Sequence, residues 1–316
     1  MAIRASFKLD TVYSISSMVR VLGTIFAGLL GLAFGSFLNV CLSRWPAGES
    51  IVSPRSHCRS CVRTLKWWEN VPVVSWLALR GRCRSCGAWI SWRYPVVEFA
   101  VGVLWAMDAW RSLTSLTDFA PPDLLWAVAI YALSRMIFLW LLVALAVLDF
   151  ESLWLPNKIT IPGILVGFAA TLLYAAVISK RAFAFYGALE LRSRFIWHVV
   201  GQRLLAILAA ASLVLLIRWI YWLIRRREGI GLGDAKLMAM LAAWLGLPSA
   251  LLAFAIGVVL GTFAALVVLL LPSTRKNHES WSSTELPLGT FLCVGGIVSS
   301  FWGEQMIHAY RRWAGF

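Results

Sequence analysis

The chain has 316 residues, 60% of them hydrophobic, and a mean hydropathy of +0.77. A water-soluble domain of this length needs far less apolar surface, so the composition excludes a soluble globular protein. The net charge of +14, from 29 Lys and Arg against 15 Asp and Glu, lies on no soluble basic stripe. It therefore points to anionic membrane lipids and to no nucleic acid.

A chain in lipid must satisfy its backbone internally, which leaves helices or a closed barrel. The apolar runs are continuous rather than alternating, and so predict an all-α polytopic membrane protein. In chain order the predicted spans are 20–41, 95–110, 124–148, 159–178, 200–224, 235–247, 249–271 and 286–304. The first has no cleavable signal before it and is expected to stay as an anchor. The sixth is too short to cross alone without burial among neighbours or a thinned bilayer, and Gly246 and Pro248 separate it from the next. Eighteen Trp suit interfacial anchoring.

Eight spans put both termini on one side. Segments 42–94, 149–158, 225–236 and 272–285 hold 16 Lys and Arg, and the opposite segments hold 10. The richer side is expected to be cytoplasmic and both termini periplasmic, although segment 180–198 opposes this. Arg135, Arg203 and Arg218 fall inside spans. Snorkelling accounts for Arg203 and Arg218, while Arg135 has no evident role.

Loop 42–94 carries Cys58-Arg-Ser-Cys61 and, after 21 intervening residues, Cys83-Arg-Ser-Cys86. Two such pairs suit a tetrahedral structural zinc site, each supplying two thiolates. Arg59 and Arg84 would stabilise thiolate, and a reducing cytoplasmic loop disfavours disulfides. His57 is then a bystander, since four Cys complete the shell. Cys41 and Cys293 read as small apolar packing residues. No HExxH is present, so the zinc is expected to fold the loop rather than catalyse.

Most acidic residues lie in loops, where solvation explains them, but two differ. Asp149 closes the apolar run 141–148, and Asp234 sits in Gly231-Leu-Gly-Asp-Ala-Lys236 at the start of another helix. Both are expected on the same membrane side. Two carboxylates together in a partly desolvated place share a proton, so one acts as base and the other as acid. Gly231 and Gly233 would let the backbone turn tightly and a peptide approach closely. N-capping is the structural alternative for Asp234, and an interfacial helix end for Asp149. The helix N-terminus and Lys236 favour charge on Asp234, which points to it as the first base. No GxSxG is present, and the four His suggest no base.

These residues resemble those of the type IV prepilin peptidases, the GxGD-type aspartic proteases of bacterial pilus and type II secretion systems. The resemblance runs from about residue 31 to 300. It rests on Phe34-Gly-Ser-Phe-Leu-Asn-Val40, the paired Cys loop with Asn70-Val-Pro72, Ile90-Ser-Trp-Arg-Tyr-Pro95 with Glu98, Leu148-Asp149, Leu155-Pro156-Asn157, Gly229 to Leu237, and Leu286-Pro-Leu-Gly-Thr-Phe291. It implies that Asp149 and Asp234 are catalytic and that Cys58, Cys61, Cys83 and Cys86 hold zinc. It further implies an inner-membrane enzyme that removes a short basic leader from prepilins and pseudopilins on the cytoplasmic side. Many members then methylate the new amine with S-adenosylmethionine, for which the sequence shows no Gly-rich Rossmann turn. Two positions depart from the family pattern: Pro-Leu-Gly-Thr stands in place of Pro-Phe-Gly-Pro at 287–290, and Ala243 in place of a common glycine.

The expected organisation is an N-terminal segment and first span at 1–41, a cytoplasmic zinc-binding loop domain at 42–94, and a transmembrane aspartic peptidase domain at 95–316. A basic leader meeting a basic face is not explained by simple steering, and Glu49, Glu69 and Glu98 could supply acidic contacts. The competing reading is a transporter or scaffold with a zinc-stabilised loop, in which the two aspartates relay protons.

Overall fold

A computed structural model of the chain describes residues 2–116, 122–184, 189–227, 231–270 and 286–315. Among these the elements are α1 (Ala2–Arg44), a 3₁₀ turn (Trp67–Asn70), α2 (Val74–Ala78), α3 (Arg93–Thr114), α4 (Pro122–Ser152), α5 (Asn157–Ala184), α6 (Leu189–Arg225), α7 (Leu232–Leu245), α8 (Leu247–Leu270) and α9 (Leu288–Trp313), with no strand. The all-α reading holds, and each predicted span falls on a helix.

Five helical stretches are long and apolar enough to cross a bilayer: Ser17–Arg44, Leu124–Ser152, Asn157–Lys180, Glu190–Arg225 and Leu247–Val268. The other three predicted spans fall short for visible reasons. Helix α3 carries Arg93, Glu98, Asp108 and Arg111, α7 has only 14 residues, and α9 ends in Glu304, His308, Arg311 and Arg312. Helix α6 starts at Leu189, well before the expected 200, because no Gly or Pro interrupts the stretch from Leu189 to Val200. The connection 272–285 lies outside the described residues.

The chain forms two compact units, residues 1–143 and 144–316, with the boundary inside α4. In the first unit α1 packs along α3, and the contact needs small residues. A Cβ at Gly35 would meet the Glu98 backbone at 2.6 Å. Indole N–H groups tie in α4: Trp105 donates to the Met136 carbonyl (3.0 Å), and Trp140 donates to that of Phe34 (3.1 Å). The buried Glu98 carboxylate accepts the Val73 amide at 2.7 Å, which fastens the end of the Cys loop to α3. Arg135 finds its role here. Its Nε donates to Asp108 Oδ1 at 2.5 Å, with Asp108 only 1% exposed, and its Nη1 donates to the Tyr131 hydroxyl at 3.3 Å.

In the second unit α7 is the core, packed against α5, α6, α8 and α9. Leu237 through Ala243 are all buried, as expected of a helix too short to live in lipid. The Trp244 indole donates to the Gly163 carbonyl at 2.8 Å. Arg203 donates to the Ala242 carbonyl at 3.2 Å, a carbonyl that also accepts the Gly246 amide at 2.9 Å, so this in-span arginine meets the negative end of α7. Helix α9 lies so close to α8 that a Cβ at Gly295 would overlap the Ala253 carbonyl.

The ion pair of the first unit yields a stability test. Arg135→Met alone leaves the Asp108 charge buried without its partner and should cost about 3–5 kcal/mol. Adding Asp108→Leu removes the orphaned charge and should recover most of that loss, read as thermal unfolding in detergent.

Candidate active site and metal centre

Asp149 and Asp234 are 85 positions apart in sequence, and the second unit brings them together. Asp149 ends α4, and Asp234 lies in the first turn of α7. They are 5% and 8% exposed and within electrostatic reach of each other. Cys293, fully buried on α9, is near enough to feel both charges.

Each carboxylate meets the start of a helix. Asp234 reaches back to the amide of Gly231, the residue that caps α7, at 3.2 Å. Asp149 meets α9 instead. Pro287 precedes that helix without giving it a side-chain cap, and the Thr290 amide donates to Asp149 Oδ2 at 2.6 Å. The Gly289 amide also faces Asp149. The Thr290 hydroxyl lies 3.1 Å from the same Oδ2 and 3.0 Å from the Ala146 carbonyl. A carboxylate at a helix N-terminus satisfies orphan amides and meets the positive end of the helix dipole.

Two glycines set the spacing. A Cβ at Gly289 would stand 2.9 Å from both Cγ and Oδ2 of Asp149 and 3.0 Å from the Leu155 side chain. A Cβ at Gly233 would meet Leu155 Cβ at 3.0 Å. Leu155 therefore touches the glycines beside both aspartates. Gly231 is different: a Cβ there would make only ordinary contact with Asp234 Oδ2, at 3.4 Å. Lys236 does not pair with Asp234. Its ammonium donates to Asn157 Oδ1 at 2.6 Å, at the start of α5. Sequence reasoning missed Leu155 and Thr290 as parts of this cluster. The available signal was the order of Leu155-Pro-Asn and Pro-Leu-Gly-Thr around the aspartates.

In the first unit Cys58, Cys61, Cys83 and Cys86 converge with all four Sγ within 4.8 Å of one another. The pairs Cys58–Cys86 and Cys61–Cys83 are 3.8 and 4.0 Å apart. Four ligands at the usual zinc–sulfur length of about 2.3 Å, set tetrahedrally, stand about 3.8 Å from one another, so the residues fit zinc. The two knuckles share a backbone. Cys58 N donates to Arg63 O and Cys83 N to Ala88 O, and antiparallel bridges join His57 to Thr64 and Arg82 to Trp89. The amides of Cys86 and Ser85 pull the Cys83 thiol down to about 6, and those of Cys61 and Ser60 lower Cys58. Thiolate is thus favoured at Cys83 and Cys58, while desolvation and the neighbouring sulfurs push the Cys86 thiol up to about 11. Close by, the Lys66 amide and the Arg63 guanidinium hold the buried Glu69 carboxyl below the usual carboxylate range. His57 is not one of the clustered groups; its Nδ1 faces the Arg55 carbonyl at 3.0 Å.

Four positions after the first cysteine, each knuckle turns through the left-handed region. Gly87 does so at φ +71°, where glycine is at ease, and Val62 at φ +57°, where a β-branched residue is strained.

Together these features define a polytopic helical membrane protein with paired buried aspartates and a loop whose four cysteines could hold a metal ion. Residues 29–112 match the Bacterial Peptidase A24 N-terminal domain, and residues 136–266 match the Type IV leader peptidase family. The chain is 32% identical to a prepilin leader peptidase/N-methyltransferase of Stutzerimonas stutzeri, over 90% of this chain and 93% of that one. It is 30% identical to one of Pseudomonas aeruginosa, over 91% and 93%, and 34% identical to one of Burkholderia pseudomallei, over 88% and 85%. No solved structure matches it. The chain belongs to the type IV leader peptidase family.

Two substitutions test this geometry. Gly289→Ala should push the Asp149 carboxylate aside and, as misplacement of about 1 Å does elsewhere, reduce turnover about a hundredfold while zinc content stays unchanged. Val62→Gly should relieve the strained knuckle, a left-handed residue costing about 1–2 kcal/mol, less the added flexibility of glycine. Val62 is 71% exposed, so little packing is lost. The variant should hold zinc against a chelator at least as well as the parent.

Proposed function

We propose that this multi-pass inner-membrane protein removes the leader peptide of type IV prepilins and related pseudopilins, with Asp149 and Asp234 as the catalytic pair. One observation carries the reading: two carboxylates distant in sequence share a buried site, each seated at a helix N-terminus, in a chain of the leader peptidase family. Paired carboxylates of this kind hydrolyse peptides by passing protons through water, one as base and one as acid. The close packing of Gly233 and Gly289 on Leu155 fixes where the carboxylates stand. Gly231, with room above it, is where a substrate backbone would approach. The excess of Lys and Arg in segments 42–94 and 225–236 supports a cytoplasmic face for this site.

Zinc held by Cys58, Cys61, Cys83 and Cys86 would supply structure alone, since four thiolates leave no open position for water. It would order a loop that has little other regular structure.

The relatives' names include N-methyltransferase, and we assign this chain the same second activity. The first unit has a groove of about 840 Å³ beside the end of α1, lined among others by Phe37, Arg55, Lys66, Trp67, Trp68 and Asn70. Its size and chemistry fit S-adenosylmethionine: indole faces for the adenine and cations for the methionyl carboxylate. When bound, the donor supplies a sulfonium methyl to the freed amine, and the basic wall disfavours a protonated amine there.

Incubating the purified protein with a prepilin and a methyl donor should give a product lacking its leader and bearing one added methyl, read by mass spectrometry. Asp149→Asn and Asp234→Asn should each lower cleavage at least about a hundredfold, the double change should be little worse, and Glu151→Gln should retain most activity. A folded Asp149→Asn or Asp234→Asn protein that cleaves at the parental rate overturns the reading.

A further inference from the structure

The aspartates are alike in burial and in facing a helix start, but they are unequal in hydrogen bonding. Among the described residues Asp234 receives one amide, from Gly231, at 3.2 Å. Asp149 receives the Thr290 amide at 2.6 Å, lies 3.1 Å from the Thr290 hydroxyl, and faces the Gly289 amide as well. Amides can only donate, so these groups need lone pairs, and an ionised carboxylate offers the most. Helix dipoles do not favour Asp149: both carboxylates face a helix N-terminus, but Asp149 also lies in the last turn of α4, whose negative end opposes its charge, so the direct donors have to outweigh that term. Lys236, the cation that would have favoured charge on Asp234, is turned to Asn157 at 2.6 Å. Where two carboxylates carry one charge between them, the charge resides where the donors are.

We propose, resting on the peptidase reading above, that Asp149 enters the reaction ionised as the general base and Asp234 enters protonated as the acid, with Thr290 as the residue that positions the base. This reverses the expectation from sequence. Thr290 engages Oδ2 of Asp149, so Oδ1 is the oxygen that meets water. Asp149 Oδ1 takes a proton from water while the water oxygen bonds to the scissile carbonyl carbon, and Asp234 gives its proton to the carbonyl oxygen. In the second step the C–N bond breaks, Asp149 returns its proton to the departing nitrogen, and Asp234 takes one from the diol as the carbonyl re-forms. Both aspartates finish as they began.

The Thr290 hydroxyl suits this cycle. It can donate to Asp149 in the charged state and turn to the Ala146 carbonyl, 3.0 Å away, as the charge leaves.

The test uses full-length protein in detergent and three variants. Thr290→Ser keeps both donors and should stay within about twofold of the parent. Thr290→Val keeps the amide and the branched shape but loses the hydroxyl, and should lower kcat about tenfold with KM unchanged. Thr290→Ala likewise keeps the amide and loses the hydroxyl, and its kcat should fall with that of Thr290→Val. An aryl epoxide, which needs an ionised carboxylate as nucleophile, gives a readout independent of turnover. Mass spectrometry should find it on Asp149 in the parent, and at a slower rate there in Thr290→Val. Labelling of Asp234 in preference to Asp149, or Thr290→Val and Thr290→Ala proteins with parental kcat, would overturn the assignment. A failure of the peptidase reading itself shows differently, as cleavage that survives Asp149→Asn.

Discussion

The first turn of α9 follows a proline that offers no side-chain cap, and its amides turn instead to a carboxylate from α4. This contact joins residues 141 positions apart and fixes one end of α9 to the end of α4. It depends on Gly289 lacking a side chain, on Leu155 filling the space beside it, and on Thr290 presenting amide and hydroxyl together. Asp149 is thus a structural cap and, in the reading proposed above, a reacting group as well. Its contribution to the fold and its proposed contribution to chemistry draw on the same lone pairs, so variants at 149 should be judged for folding before activity is compared.

The aspartates and cysteines were legible because their neighbours mark them. An acid closing an apolar run, an acid behind Gly-Leu-Gly and two identical Cys-Arg-Ser-Cys groups each stand out against composition. Their partners were not legible, because partners are set by tertiary packing. Nothing local to Thr290 says that it meets Asp149, and nothing local to Asp108 says that it meets Arg135. Lys236 shows the opposite error. Two positions from Asp234 in sequence, it was expected to act on that carboxylate, but helical geometry points residues two apart in different directions. Helix lengths were partly legible. Apolar runs located every long helix, but polar ends such as those of α6 and α9 extend beyond what hydropathy alone reveals.

The metal loop illustrates how a repeated motif need not be repeated in comfort. Both knuckles use the same cysteine-to-amide geometry and the same left-handed turn, yet glycine occupies that turn only at 87. Ordering the first knuckle therefore takes more of the binding free energy that a metal supplies. The Arg63–Glu69 pair and the Glu98–Val73 bond hold the rest of the loop in place by ordinary protein contacts.

Helix α7, with 14 residues, rises about 21 Å, well short of the roughly 30 Å of hydrocarbon in a bilayer. Lipid cannot hold it in place by itself. Asp234 is positioned only after α5, α6, α8 and α9 have closed around that helix and Arg203 has met its last turn. With Asp234 in the catalytic role proposed above, proteolytic competence would require the closed bundle. Until those helices pack, the two acids would have nothing to hold them together, and neighbouring membrane proteins would not meet a half-built protease.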